Sequence, residues 1–224
     1  MRTGKFFTLF MTGVIVLAGH SFAQKTVNEA TLTYSISIES SSEKVAMSKT
    51  LDGATLSVYL KGAQSKTDMT SALGTESNQY DAKAGKGIIL KQYSGQKLMI
   101  TLSSANWAQK NQVNQNMKFS IENGEQTIAG FRCKKAIGQA ADGKTFTVYF
   151  SPDIILANKQ YDNAFAGLPG MPVQYELQSG KLKFKYSLTG INYDPVPLSK
   201  FEIPKTGFRI MTYEENQQLR KGDK

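Results

Sequence analysis

Apolar and polar residues alternate along most of this chain. Leu32, Tyr34, Ile36 and Ile38 fall two apart with Thr33, Ser35 and Ser37 between them, the period of a strand with one buried face. Asp52-Gly53 marks a turn before Leu56, Val58 and Leu60, again two apart, and Lys61-Gly62 offers another before a weaker strand from Ser65 to Ala72 that carries Met69. Thr75 to Asp81 is polar throughout and reads as an edge strand. Ile88-Ile89-Leu90 and Leu98-Met99-Ile100-Thr101-Leu102, separated by Ser94-Gly95, form a hairpin signal. Further strands are predicted at Lys118–Ile121, Gln126–Ile128 and Phe131–Ile137. The clearest alternation lies between Lys144 and Leu188: strands at Lys144–Phe150, Val173–Leu177 and Lys181–Leu188, predicted to be the centre of one antiparallel sheet. Phe201, Ile203, Phe208 and Ile210 read as a last strand or a packed strap.

One stretch breaks this rhythm. Ser104 to Met117 has few β-branched residues and an N-cap candidate in Ser103 or Ser104, which predicts a short amphipathic helix with Trp107, Val113 and Met117 near one face. Asp153 to Phe165 reads as irregular or briefly helical, and Glu214 to Lys224 as a charged tail, solvated or weakly helical. The fold class is therefore mainly β with one or two short helices, in a single domain spanning residues 24–213.

The first residues have another character. Arg2 and Lys5 precede an apolar run from Phe6 to Leu17, and Ser21-Phe22-Ala23 has the small-x-small form of a cleavage site, so residues 1–23 read as a signal peptide cut after Ala23. The apolar run is too short to span a bilayer, so no transmembrane segment is expected in the mature chain. Export to the periplasm or the medium follows. The 224-residue chain less those 23 residues leaves 201, enough for a β-rich domain with a sizeable core. Two of the 27 basic residues leave with the leader, so 25 remain against 18 acidic ones and the net charge falls to +7. That modest, dispersed excess suits a solvated face and gives no nucleic-acid footprint. Cys133 is the one cysteine, so the chain has no internal disulfide, and its place two residues from Phe131 in an alternating segment predicts a buried thiol.

Catalytic chemistry finds little footing. The one histidine, His20, lies in the leader, which removes Ser-His-Asp and Cys-His catalysis and histidine-ligated metals from the mature chain. No glycine-rich phosphate loop and no distinguished carboxylate pair is present, and no cofactor or metal is implied. Ser41-Ser-Glu-Lys44, Ser104-Ala-Asn106 and Lys205-Thr-Gly207 do reproduce, in order, the Ser-x-x-Lys, Ser-x-Asn and Lys-Thr-Gly elements of penicillin-recognising serine enzymes. That chemistry needs the serine at a helix start with the lysine one turn on, whereas Ser41 follows a strand in a polar, turn-like stretch. The pattern reads as coincidence, and the chain as a non-enzyme.

Thr147-Val-Tyr-Phe-Ser-Pro-Asp153, Gly167-Leu-Pro-Gly-Met171 and Val173-Gln-Tyr-Glu-Leu177, with Ile128-Ala-Gly-Phe-Arg-Cys-Lys134 and Phe201-Glu-Ile-Pro204, together resemble the GLPGLI-type and related uncharacterised exported proteins of Gram-negative bacteria. Met171-Pro172 stands where that pattern has Leu-Ile. Those families are similar in strand order to the periplasmic lipoprotein-carrier (LolA-like) fold, a strongly curved antiparallel sheet forming an open half-barrel whose concave side holds acyl chains. The resemblance implies a lipid or other apolar ligand, with Leu56, Val58, Leu60, Met69, Met99, Trp107, Met117, Phe146, Val148, Met171, Tyr175 and Phe184 as candidate lining; methionine's adaptable thioether suits irregular apolar ligands. The competing expectation is a cell-envelope interaction module that docks a protein partner through a sheet edge or the basic row Lys181, Lys183 and Lys185.

Overall fold

Alternation becomes one very large sheet. The computed structural model describes residues 24–39, 51, 53–179 and 182–222. Its strands are β1 (Lys25–Val27), β2 (Glu29–Glu39), β3 (Thr55–Lys61), β4 (Gln64–Ser71), β5 (Gly74–Asp81), β6 (Lys86–Tyr93), β7 (Gln96–Ser103), β8 (Lys118–Ile121), β9 (Gln126–Ile128), β10 (Phe131–Gln139), β11 (Thr145–Ser151), β12 (Ile154–Leu156), β13 (Met171–Ser179), β14 (Leu182–Asn192) and β15 (Arg209–Thr212). The main sheet runs β15-β7-β6-β5-β4-β3-β2-β14-β13-β11-β10-β8, with β9 on the far end of β10. Every pairing in it is antiparallel except β15 on β7. β1 and β12 form a separate parallel pair. The sheet is strongly curved and does not close into a barrel.

Register fixes which side chains share a face, because directly paired residues point the same way. One row runs Tyr186, Ile36 and Tyr175, and a neighbouring row joins Leu188, Tyr34, Leu56 and Met69. These belong to the inner face, where Leu32, Tyr34, Val58, Leu60, Val148 and Val173 are almost wholly buried together with Phe165, Leu168 and Leu156 from the segment after β11. The outer face carries Thr33, Ser35, Ser57, Lys66 and Asp68.

Two local features place what fills the inner side. Helix α1 (Ser104–Lys110) starts at Ser103, whose hydroxyl accepts from the Asn106 amide while Asn106 Oδ1 accepts from the Ser103 amide, a reciprocal cap. It stops at Asn111, whose side-chain amide turns back to the Trp107 carbonyl at 2.8 Å. The helix is thus half the predicted length: a 3-10 turn, Gln112–Asn114, follows, and Val113 is exposed. The segment after β12 makes two 3-10 turns, Lys159–Tyr161 and Asn163–Phe165, capped by Asn158 and Asp162.

Three expectations shift. Thr75–Asp81 is an interior strand, paired on both sides by β4 and β6. The Lys144–Leu188 strands are contiguous as β11-β13-β14 but lie to one side, and the sheet's middle is the long β2-β14 pairing. The segment after Pro152 contains β12. The C-terminal region is a strap over residues 193–208, a short β15, and helix α2 (Tyr213–Gly222), which takes in most of the charged tail. The strap crosses the outer face: the Val196 amide donates to Glu29 Oε1 at 2.6 Å, Gln79 Nε2 to the Phe201 carbonyl at 2.7 Å, and Phe208 packs on Ile88, Leu90 and Met99.

Candidate ligand-binding site

The inner face is plugged at one side, and the plug leaves a cavity. α1 delivers Trp107 flat onto Tyr80 of β5, ring centroids 4.4 Å apart and planes 2° from parallel. On the other side Tyr175 and Tyr186 stack at 4.6 Å, with Phe165 edge-on to Tyr175 at 4.7 Å. Between these two aromatic stacks lies a cavity of about 280 Å³, near the lower limit of typical small-molecule sites. Its sheet floor is Leu56, Thr67, Met69, Asn78 and Leu177; Trp107, Lys110 and Asn111 come from α1 and its cap, and Tyr161 and Asp162 from the 3-10 turns.

This lining is not uniformly apolar. Asn78 Oδ1, Trp107 Nε1 and Tyr161 OH are buried and have no hydrogen-bond partner in the protein. A buried polar group without a partner costs on the order of 1–3 kcal/mol, so three of them around one small cavity is an unusual concentration. Desolvation raises the Asp162 carboxyl above its ordinary range, against the pull of the Ala164 amide and the Lys110 ammonium. It also lowers Lys110, whose Nζ lies 5.1 Å from the Trp107 ring centre. Burial raises the hydroxyls of Tyr161 and Tyr175 well above the normal tyrosine range and Tyr186 to about 12, so all three are neutral donors at physiological pH. The arrangement can stack or enclose an apolar body and offer hydrogen bonds at its rim.

Of the twelve lining residues expected from sequence, Leu56, Met69, Trp107 and Tyr175 reach this cavity. Val58, Leu60, Val148 and Met171 are fully buried in the main core. Phe146 packs edge-on against Phe119 and Phe165. Met117 is buried with its carbonyl facing Gly167, Phe184 is half-buried opposite Leu177 and Ile38, and Met99 lies on the outer face. Sequence reasoning missed Asn78, Lys110, Tyr161, Asp162, Leu177 and Tyr186; the apolar-only criterion passed over the polar ones.

The other singled-out groups also have places. Cys133 is a free, buried thiol. Ser41, Lys44 and Lys181 lie outside the described residues, while Ser104 and Asn106 open α1, with Asn106 Nδ2 donating to Glu214 at 2.6 Å. Lys183 is ion-paired with Glu176 across the β13-β14 pairing. Among the described residues no group of three or more His, Cys, Asp or Glu is placed to hold a metal ion, and no helix is long and apolar enough to cross a membrane.

No family model matches this chain, and no curated protein matches it. Solved structures share its shape at low identity. PNGF-II is 10% identical, with a TM-score of 0.49 over 86% of this chain and 33% of that one, so the chain spans about a third of PNGF-II's length. The Pseudomonas aeruginosa MucA/MucB complex gives 12% identity and a TM-score of 0.40 over 79% of this chain and 56% of that chain. LprF from Mycobacterium bovis gives 11% and 0.34 over 75% and 88%. Likeness at this level assigns neither ligand nor activity.

Proposed function

We propose that this chain is an exported, non-enzymatic binding protein of the GLPGLI-type or a related family, and that it holds a small amphiphile in the inner-face cavity. The observation that carries the reading is the set of three unpartnered buried polar atoms, Asn78 Oδ1, Trp107 Nε1 and Tyr161 OH, on residues that wall one aromatic cavity. A ligand with an apolar body and a hydrogen-bonding end supplies partners that the protein lacks, and its body replaces empty space against Leu56, Met69 and Leu177. The cavity's size favours a short chain or a single ring system over a long lipid. Leader-like residues 1–23 and the resemblance around Thr147–Asp153 and Gly167–Met171 support the exported setting.

The test is native mass spectrometry of the mature protein, as purified and after addition of short-chain amphiphiles. A retained or added adduct that is lost in Thr67→Phe, which fills the cavity from the β4 floor, supports the reading. An adduct-free spectrum for both proteins at saturating amphiphile contradicts it.

A further inference from the structure

A second, larger cavity lies on the other side of the sheet. It measures about 760 Å³, within the range of small-molecule sites, and lies where the strap crosses the outer face beside the β5-β6 turn. Ile88 of β6 and Phe201 of the strap, both buried, form its apolar walls, and Ile203, 50% exposed, stands on its solvent side.

Most of its polar rim groups satisfy one another; the exception is Gln79 Oε1, which is buried without a partner and so accepts from a hydroxyl. Asp81 accepts from the Lys83 and Ala84 amides at 2.9 Å each and from Gln64 at 3.3 Å. Asn106 is held by Ser103 and Glu214. Lys86 is exposed and makes no ion pair among the described residues. With Asp81 and Glu214 set against Lys86, the rim is slightly acidic, which disfavours an anionic head, while Lys86 remains a donor for a neutral acceptor. The strap is fixed at Phe201 by Gln79 and at Phe208 by the Ile88–Leu90–Met99 cluster. Gly207 between them has φ +82°, a conformation that glycine reaches without strain. The wall bearing Ile203 is thus held at both ends and carries its apolar side chain at the cavity's opening.

We infer that this outer cavity is a second binding site, taking the aliphatic chain of an amphiphile with an uncharged, hydrogen-bond-accepting head such as an ester or a hydroxyl. It shares no lining residue with the inner cavity and differs from it in size.

Photolabelling tests it with a long-chain monoacylglycerol carrying a diazirine in the chain. The expected result is saturable labelling mapped to residues 84–88 and 201–207. Ala84→Trp, on an exposed turn at the cavity mouth, and Ile203→Glu, on the strap, should each cut labelling at least tenfold while leaving the melting temperature of the protein unchanged. The free carboxylate of the same chain should compete several-fold less well than the ester. Labelling mapped to Trp107 or Tyr161, labelling undiminished in both variants, or no saturable labelling overturns the site; equal competition by the carboxylate overturns the uncharged head.

Discussion

Gly87 offers a direct test of how the inner face is plugged. It sits on β6 beneath the Tyr80–Trp107 stack, and a Cβ built there would lie 2.9 Å from the Gln79 carbonyl oxygen, 3.1 Å from Tyr80 Cδ2 and 3.4 Å from Trp107 Cε3. The first contact is with backbone in the interior of the sheet, so the added methyl has to push β5 or lift the stack. Overpacking of this kind costs about 1–3 kcal/mol, and lifting the rings loses part of the 0.5–1.5 kcal/mol or so that such a pair adds beyond its burial. For a domain of this size each kcal/mol lowers the melting temperature by roughly 2–4 °C, so Gly87→Ala should melt about 2–12 °C below the parent. The control is Gly190→Ala at the β14 irregularity, where no atom lies within 4 Å of the new Cβ, and which should change stability by less than about 0.5 kcal/mol. Thermal unfolding followed by circular dichroism gives the stability change. The emission of Trp107, the one tryptophan, reports the stack itself and should shift in the native Gly87→Ala protein. Equal melting temperatures for parent and Gly87→Ala, with unaltered emission, would refute the account of the plug.

Asp162→Asn keeps an oxygen for the Ala164 amide but removes a carboxyl whose native pKa lies above its ordinary 3.8. Such an acid binds more protons folded than unfolded, so its contribution to stability falls as pH rises from 3.8 through the native value. The stability of the variant relative to the parent should therefore increase with pH across that window, read from urea midpoints; a pH-independent difference contradicts it. Burial pushes the Cys133 thiol up to about 11, so alkylation at neutral pH should track global unfolding, and rapid labelling of the native protein contradicts its place in the core. Glu29 receives both the Val196 amide and the Lys61 ammonium. Glu29→Ala should release the start of the strap and raise proteolytic cleavage within residues 193–208, and an unchanged cleavage pattern would show that other contacts suffice.

Strands were legible wherever one face is apolar and the other polar. β2, β3, β10, β11 and β14 have that form; Asp142-Gly143 lies at the β10-β11 hairpin, and Ser94-Gly95 marks the β6-β7 hairpin. The pattern failed where both faces are covered or both are polar. Leu98 to Leu102 is apolar at nearly every position because α1 and Met211 cover one face while Phe208 covers the other, so alternation could not assign Met99 to the outer side. Thr75 to Asp81 looked like an edge because its inner positions, Glu76 and Asn78, face a cavity and its outer ones face the strap. The site was half visible. Leu56, Met69, Trp107 and Tyr175 followed from apolar character at the right period, whereas Tyr161 and Asp162 arrive on 3-10 turns that have no period to read. The outer cavity was hidden for a related reason: its walls meet across more than a hundred residues of chain, brought together by a strap with no strand register.

Trp107 gives the most direct measurement of the central claim. It walls the inner cavity, it is the one tryptophan, and its indole N–H has no partner in the protein. Titrating the mature protein with a short-chain amphiphile should change Trp107 emission saturably. Thr67→Phe should abolish the change, and Ala84→Trp, read by calorimetry because it adds a second indole, should leave affinity for that ligand unaltered. Emission that stays constant up to the ligand's solubility limit, or that changes equally in Thr67→Phe, contradicts ligand binding at the inner face.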